Sequence, residues 1–214
     1  GLVGTLFIRA LYGGEDFFEP FSKKHPYLCH MGGMFLVGLA AYSMMFFYGH
    51  YYVQGVGYAT VQDILEGKFD DVSLLPLLLI LFVLKVAVTT ITLGSGASGG
   101  VFSPGLFMGA TFGGAYGVVL KSVFPDLGIS PAAFAVAGMA AVIGSTTGAA
   151  LTAIVMIFEM TLDYNVIVPM TISVALAFFV RTQLCPESIY TLKLARRGHH
   201  VSDALRRESR SEDG

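Results

Sequence analysis

Residues 94–105 read Gly-Ser-Gly-Ala-Ser-Gly-Gly-Val-Phe-Ser-Pro-Gly, a polar and glycine-rich stretch inside an otherwise unbroken apolar region. On a soluble surface such a loop would be ordinary. Inside a membrane it leaves backbone N–H groups without helical partners in a place where water is absent. The sequence therefore predicts that some other group satisfies these donors.

The composition is that of an integral membrane protein. Hydrophobic residues make up 54% of the 214 residues and charged residues 13%, whereas a soluble domain carries about 25% charged residues. Mean hydropathy is +0.68. The net charge of −2 is too small to favour nucleic acid or an acidic partner. Cys29 and Cys185 give neither a disulfide framework nor a metal-binding spacing, and we expect no metal, cofactor or enzymatic activity.

The two ends of the chain differ in charge. Gly1 opens directly into an apolar segment without a signal-peptide pattern, which indicates a piece of a longer protein. Beyond the last apolar segment lie seven of the 13 lysines and arginines: Arg181, Lys193, Arg196, Arg197, Arg206, Arg207 and Arg210. The positive-inside rule then places the C-terminus in the cytoplasm, and we expect the protein in the plasma membrane. Residues 1–197 form the predicted membrane domain, and residues 198–214 a polar, disordered cytoplasmic tail.

Apolar runs predict the helices of the membrane domain. The predicted elements are the end of a helix at residues 1–12, spanning helices at 31–48, 74–93 and 166–180, a short surface helix at 59–66, and a last short helix opened by Pro186 and Glu187. The charged residues between 13 and 26 predict a polar connection at the membrane surface. Lys85, the one charge in the run 74–93, either faces a polar interior or extends to an interface.

Two of the apolar regions are interrupted in the middle. After the loop at 94–105, glycines recur every four residues along one helical stripe: Gly105, Gly109, Gly113 and Gly117. Such a stripe lets another helix approach closely. The run 132–158 contains Gly-Ser-Thr-Thr-Gly at 144–148, and each half is too short to span a membrane. Partial helices that meet inside the membrane are typical of transporter and channel folds.

Three interpretations of the glycine loop compete. Gly94, Gly96 and Gly99 match the spacing of a dinucleotide fingerprint, but the preceding run has helical length and no acidic residue follows before Asp126. Close helix crossing explains the glycines alone. An anion site explains the loop together with the new helix that starts after it, because a buried helix N-terminus offers unpaired N–H donors and a positive dipole end. Without a nearby lysine or arginine it would release the anion again, as permeation requires.

The loop resembles the second signature loop of the CLC family of chloride channels and chloride/proton antiporters, a Gly-x-Phe-x-Pro pattern after a Ser-Gly-rich lead. Further matches follow in the family's order and spacing: Ala137-Gly138-Met139, Leu151-Thr152 to Phe158-Glu159-Met160-Thr161, Val168-Pro169-Met170, and Tyr190 followed by Leu194-Ala195-Arg196. The resemblance covers residues 1 to about 197.

The resemblance implies an all-α, polytopic membrane fold, the second half of an inverted-repeat CLC-type pore in which broken helices meet at a midplane anion site. The implied anion ligands are the backbone amides of Val101 and Phe102 and the hydroxyl of Tyr190, and the supporting loop positions are Gly99, Gly100, Ser103 and Pro104. It also implies a homodimer built on residues 151–158 and 166–180, and a first half of the same polypeptide that carries the gating glutamate. Glu159 then has a structural role near a helix end.

The predicted function is transmembrane transport of chloride within the lipid bilayer, as a channel or as a chloride/proton antiporter. Two other classes stay open at this stage. A secondary transporter for an organic solute would need charged or amide side chains inside the apolar runs, and only Lys85 qualifies. A non-transporting membrane scaffold would use the loop glycines for packing alone.

Overall fold

The structure, a computed structural model, describes residues 1–192. Its helices are α1 (Leu2–Lys24), α2 (Pro26–Tyr48), α3 (Tyr58–Leu65), α4 (Leu75–Gly94), α5 (Phe102–Val123), α6 (Pro131–Thr147), α7 (Ala150–Thr161) and α8 (Ile167–Leu184). Short 3-10 turns occupy Val72–Leu74, Pro125–Leu127 and Tyr164–Val166. The described part of the chain contains no strand, and the predicted all-α class is confirmed. The predicted tail at 198–214 lies outside the described residues.

Within residues 1–192, four helical segments are long and apolar enough to cross a membrane: Pro26–Tyr48, Val72–Gly94, Phe102–Val123 and Tyr164–Leu184. The predicted spanning runs fall within them. The predicted break inside 132–158 is also present, because α6 ends at Gly148, whose φ of +80° favours glycine. Large apolar side chains stay exposed along α2, α7 and α8, as on helices that meet lipid or another chain. The chain is thus part of a multi-pass integral membrane protein.

Helix α5 lies at the centre of the bundle and packs chiefly against α6, with α4 and α3 on its other sides. The glycine stripe makes this contact. A Cβ on Gly109 would lie 2.5 Å from the carbonyl oxygen of Gly138, and one on Gly113 would overlap the carbonyl oxygen of Phe134. The two backbones therefore touch directly, and the predicted packing role of the stripe is confirmed.

Helix α1 corrects the predicted polar connection at residues 13–26. The helix continues unbroken from Leu2 to Lys24, with Pro20 inside it, and α2 begins at Pro26. The reason is packing against α4, where a Cβ on Gly94 would lie 3.0 Å from the carbonyl oxygen of Gly14. The charges lie at the exposed end of the helix, where Lys23 pairs with Glu19 at 2.7 Å. Composition alone reads such a helix end as a loop.

Candidate functional site

The N-terminus of α5 carries backbone donors that its own helix leaves unpaired. Val101 is the N-cap, and its side chain accepts no hydrogen bond. The first amide bonded back to the cap is that of Gly105, which donates to the carbonyl of Val101 at 3.2 Å. Pro104 has no N–H to offer. Within residues 1–192, the amides of Val101, Phe102 and Ser103 donate to no protein group, which leaves them available to an anion.

The loop that leads to this terminus turns sharply and is partly open. Gly96 has a φ of +88°, and Ala97 donates its amide to the carbonyl of Thr92 at 3.1 Å, which closes the end of α4. Gly99 and Gly100 are exposed, whereas Val101 to Pro104 are half-buried. The N-terminal turn of α5 therefore lies at the boundary between open space and the interior of the bundle.

A cavity of about 600 Å³ adjoins the loop. Four of the predicted support positions line it, namely Gly99, Gly100, Ser103 and Pro104, together with residues of α2, α4 and the segment 53–56. The Ser103 hydroxyl donates to the carbonyl oxygen of Val56 at 3.0 Å. Ser103 therefore joins the start of α5 to the wall of the cavity.

Lys85 faces the interior of the bundle, which resolves the two orientations that the sequence left open. The residue is 2% exposed, and Nζ donates to the carbonyl oxygens of Gly55 at 2.7 Å and Val53 at 3.1 Å. The ammonium also lies 4.9 Å from the centre of the Phe107 ring. Its charge is therefore used to hold the segment 53–57 against α4 and α5, beside the cavity.

The segment that carries Tyr190 is held from both neighbouring sides. The amide of Ile189 donates to the carbonyl of Thr146 in α6 at 2.9 Å. In α1, the buried hydroxyl of Tyr12 donates to the carbonyl of Ile189 at 2.6 Å. Ile189 and Val101 pack in the same apolar cluster. The residue before Tyr190 thus belongs to the same cluster as the N-cap of α5, while the Tyr190 side chain itself is 55% exposed.

The helix predicted to open at Pro186 begins later. Ser188 caps it, since its hydroxyl accepts the amide of Thr191 at 3.2 Å and its own amide donates to the Thr191 hydroxyl at 2.8 Å. The carbonyl of Ser188 accepts the amide of Leu192 at 3.0 Å. Residues 185–187 are irregular; the carbonyls of Cys185 and Pro186 accept hydrogen bonds from Arg181 instead of from a following turn. Tyr190 lies in the first turn after the cap.

Arg181 corrects the charge count at the C-terminal end. It lies inside α8 and is 2% exposed, so it is not one of the basic residues beyond the last apolar segment. Its Nε donates to the carbonyl of Ser145 at 2.7 Å, and Nη1 donates to the carbonyls of Pro186 at 2.9 Å and Cys185 at 3.3 Å. The other six lysines and arginines of that count lie outside the described residues. Glu159 is exposed near the end of α7.

Sequence reasoning missed the partners of both buried cations. Lys85 stands out in the sequence as the one charge in the run 74–93, but no neighbouring residue indicates Val53 and Gly55 as its acceptors. The available signal is the Gly55-Val56-Gly57 run, because both glycines adopt positive φ and such positions interrupt a regular helix. For Arg181 the signal is its position directly after the apolar run 166–180, four and five residues before Cys185 and Pro186.

Comparison with known proteins identifies relatives across most of the chain. A family model described as voltage gated chloride channel matches residues 1–182. The chain is 34% identical over 185 residues to the H(+)/Cl(-) exchange transporter ClcA of Vibrio vulnificus, covering 86% of this chain and 38% of the relative. It is 32% identical over 196 residues to ClcA of Vibrio cholerae, covering 92% of this chain and 40% of the relative.

A solved structure agrees with the fold. The crystal structure of a slow cyanobacterial Cl-/H+ antiporter superposes with a TM-score of 0.73 and 30% identity, over 92% of this chain and 44% of that chain. The chain therefore spans less than half the length of these relatives. Because the family model covers most of its residues, the chain belongs to the CLC family of voltage-gated chloride channels.

Proposed function

We propose that this chain supplies one side of the pathway of a chloride transport protein, with the anion bound by the amides of Val101 and Phe102 and by the hydroxyl of Tyr190. The observation that carries the proposal is the uncapped N-terminus of α5. Its amides have no acceptor within residues 1–192. The neighbouring Gly100 and Ser103 line a cavity of about 600 Å³, although Val101, Phe102 and Tyr190 are not themselves among its lining residues. The CLC relatives, named as H(+)/Cl(-) exchangers, supply the identity of the anion.

The donors suit transport because they are neutral. Backbone amides and a phenol O–H replace part of the hydration shell of chloride without forming an ion pair, so the anion is held and released. Lys85 lines the same cavity as the loop, so the expectation that no lysine lies near the loop is wrong. Its ammonium already donates to two carbonyls. Its positive charge raises the local potential, while its hydrogen bonds are committed to the protein.

Exchange of chloride for protons is our preferred form of this activity. Both curated relatives described above are named as exchangers, and the solved relative is an antiporter. No carboxylate among residues 1–192 lines the cavity, so proton transfer would use groups from the remainder of the full-length protein. We propose that this remainder includes the first repeat of the pore.

A homodimer is proposed on α7 and α8. Apolar side chains project from these helices without cover in the described chain: Leu151, Val155, Val168, Ile172, Leu176 and Phe179. They overlap the residues 151–158 and 166–180 that the family resemblance assigns to the interface. We place the protein in the plasma membrane with its C-terminus in the cytoplasm, and glycine-to-cysteine labelling near residue 214 from either side tests that orientation.

The decisive experiment measures chloride efflux and the accompanying pH change from liposomes that contain the full-length protein. Tyr190→Phe removes one donor, and an amide-to-ester replacement at Phe102 removes another without altering a side chain. Each should weaken chloride binding by about two- to tenfold, the effect of losing one hydrogen bond. An ester at Phe112, in the middle of α5, is the matched control and should leave chloride affinity unchanged. Absence of chloride flux, or indifference to both changes, would refute the proposal.

A further inference from the structure

Arg181 joins three parts of the chain that meet beside Tyr190. From α8 its guanidinium reaches the carbonyl of Ser145 near the end of α6 in one direction, and those of Cys185 and Pro186 in another. Burying a guanidinium is costly unless its N–H groups are satisfied. The site provides backbone carbonyls for this purpose, and these carbonyls belong to the segment that leads to Tyr190.

The same end of α6 fixes the next part of the segment. The carbonyl of Thr146 accepts the amide of Ile189, and Thr146 directly follows the Ser145 that Arg181 contacts. Arg181 therefore sets the separation between α6 and residues 185–186, and Thr146 sets the position of residue 189. The segment 185–190 is therefore attached to the end of α6 at two points, through Arg181 and through the Ile189 amide.

The described contacts fix the backbone beside Tyr190 more firmly than its ring. The side chain is 55% exposed, so packing of the ring constrains it weakly. The residue before it is fixed by hydrogen bonds on both its N–H and its C=O, to Thr146 and Tyr12. A shift of residues 185–186 would be transmitted through this short segment to Tyr190.

We propose that Arg181 is a positioning residue for the anion site: it holds the segment 185–190 against α6 and thereby places the Tyr190 hydroxyl beside the N-terminus of α5. The inference rests on the proposed function, in which that hydroxyl contacts chloride. Arginine suits the task because its planar fork directs Nε and Nη1 toward different acceptors at once. A lysine has one point charge and cannot span Ser145 and Pro186 with the same geometry.

The test is a double-mutant comparison of chloride affinity, measured by calorimetry on the full-length protein in detergent. The variants are Arg181→Met, Arg181→Lys, Tyr190→Phe and the double variant Arg181→Met with Tyr190→Phe. Arg181→Met and Tyr190→Phe should each weaken binding by about two- to tenfold. The double variant should bind no more weakly than Tyr190→Phe alone, because both changes act on the same hydroxyl. Arg181→Lys should fall between wild type and Arg181→Met.

A stability control separates positioning from a purely structural role. Met170, fully buried in the central cluster, is changed to Ala, and the thermal midpoints of all variants are compared. Met170→Ala should lower the midpoint without changing chloride affinity. If Arg181→Met does not fold, Arg181→Lys carries the same comparison with Tyr190→Phe.

Distinct outcomes overturn distinct claims. Wild-type protein that binds no chloride refutes the proposed function and this inference with it. Chloride binding by wild type with unchanged affinity in the Arg181 variants refutes the inference alone. Losses that multiply in the double variant also refute it, because they show that Arg181 acts independently of the Tyr190 hydroxyl.

Discussion

The α5–α6 crossing and the two tethered segments, residues 53–57 and 185–190, are held in opposite ways. At the crossing, glycines bring two backbones into direct contact, as at Gly109 and Gly138. The segments are irregular, so several of their carbonyls lack helical partners, and the long side chains of Lys85 and Arg181 donate to these carbonyls from α4 and α8. The helix that presents Val101 and Phe102 is thus fixed by close packing, and its surroundings by a few hydrogen bonds.

The difference determines which changes each region tolerates. A close-packed crossing is disrupted when atoms are added, because the neighbours are backbone and cannot rotate away. A tethered segment is disrupted when a single donor is removed, because several buried carbonyls then lose their partners together. The position of the α5 amides therefore depends on the absence of side chains at the crossing, whereas the cavity wall and the segment before Tyr190 depend on the presence of individual side chains.

The largest effect is expected from Gly109→Ala. Its new methyl group would lie 2.5 Å from the Gly138 carbonyl oxygen and equally close to the Met139 Cα, so α5 and α6 must separate. We expect the free energy of unfolding to fall by about 3 kcal/mol, the upper part of the range for overpacking. Thermal unfolding of the full-length protein in detergent measures this loss.

Gly32→Ala in α2 is the matched control for that change. Nothing lies within 4 Å of a Cβ at Gly32, and alanine favours a helix over glycine by about 1 kcal/mol. The control should therefore be unchanged or slightly more stable than wild type. Equal destabilisation by the two alanines would show that helix propensity or lipid contact, and not the crossing, determines the effect.

The glycine crossing could be predicted from the sequence, and the tethers could not, for a physical reason. A spacing of four residues places glycines on one face of a helix whatever surrounds them. The positions of Gly105 to Gly117 in the sequence are therefore enough to predict close packing against another helix. The acceptors of Lys85 lie 30 and 32 residues away, and Ser145 lies 36 residues from Arg181. Every residue has a backbone carbonyl, and the sequence does not indicate which carbonyls lack a backbone N–H donor in the folded chain.

The candidate site divides in the same way. The helix start at Val101 and Phe102 followed from the loop composition and from Pro104. The late start of the last helix did not, because Ser188 and Thr191 form a reciprocal cap that overrides Pro186. The continuous α1 was also missed, since its charged end resembles a loop in composition while its contact with α4 is long-range.

Lys85→Met removes the side chain that holds the segment 53–57 and so tests its contribution directly. Methionine keeps most of the side-chain volume but leaves the carbonyls of Val53 and Gly55 without their donor. We expect a loss of about 2 kcal/mol in unfolding free energy, the cost of unsatisfied buried polar groups, and slower chloride flux through liposomes because the cavity wall moves. Lys85→Arg should retain most of the stability. A Lys85→Met protein with wild-type stability and flux would contradict the claim that this hydrogen-bonded cation holds segment 53–57.

The smallest effect is expected from the same substitution at an exposed lysine, Lys68→Met. Lys68 forms ion pairs with Asp63 and Glu66 near the protein surface. Its hydrogen bonds to Asp63 and Glu66 raise the pKa of Lys68. The hydrogen bond from Lys68 in turn lowers the pKa of Glu66. The contribution of Glu66 is present above its ordinary pKa and is lost as pH falls through the lowered value, and that of Lys68 is lost as pH rises through its raised one. Solvent screens this group, so the thermal midpoint at neutral pH should match wild type within error. If Lys68→Met lost as much stability as Lys85→Met, removal of any positive charge would explain the effect. The hydrogen bonds from a buried cation to backbone carbonyls would then not be what stabilises the segment 53–57.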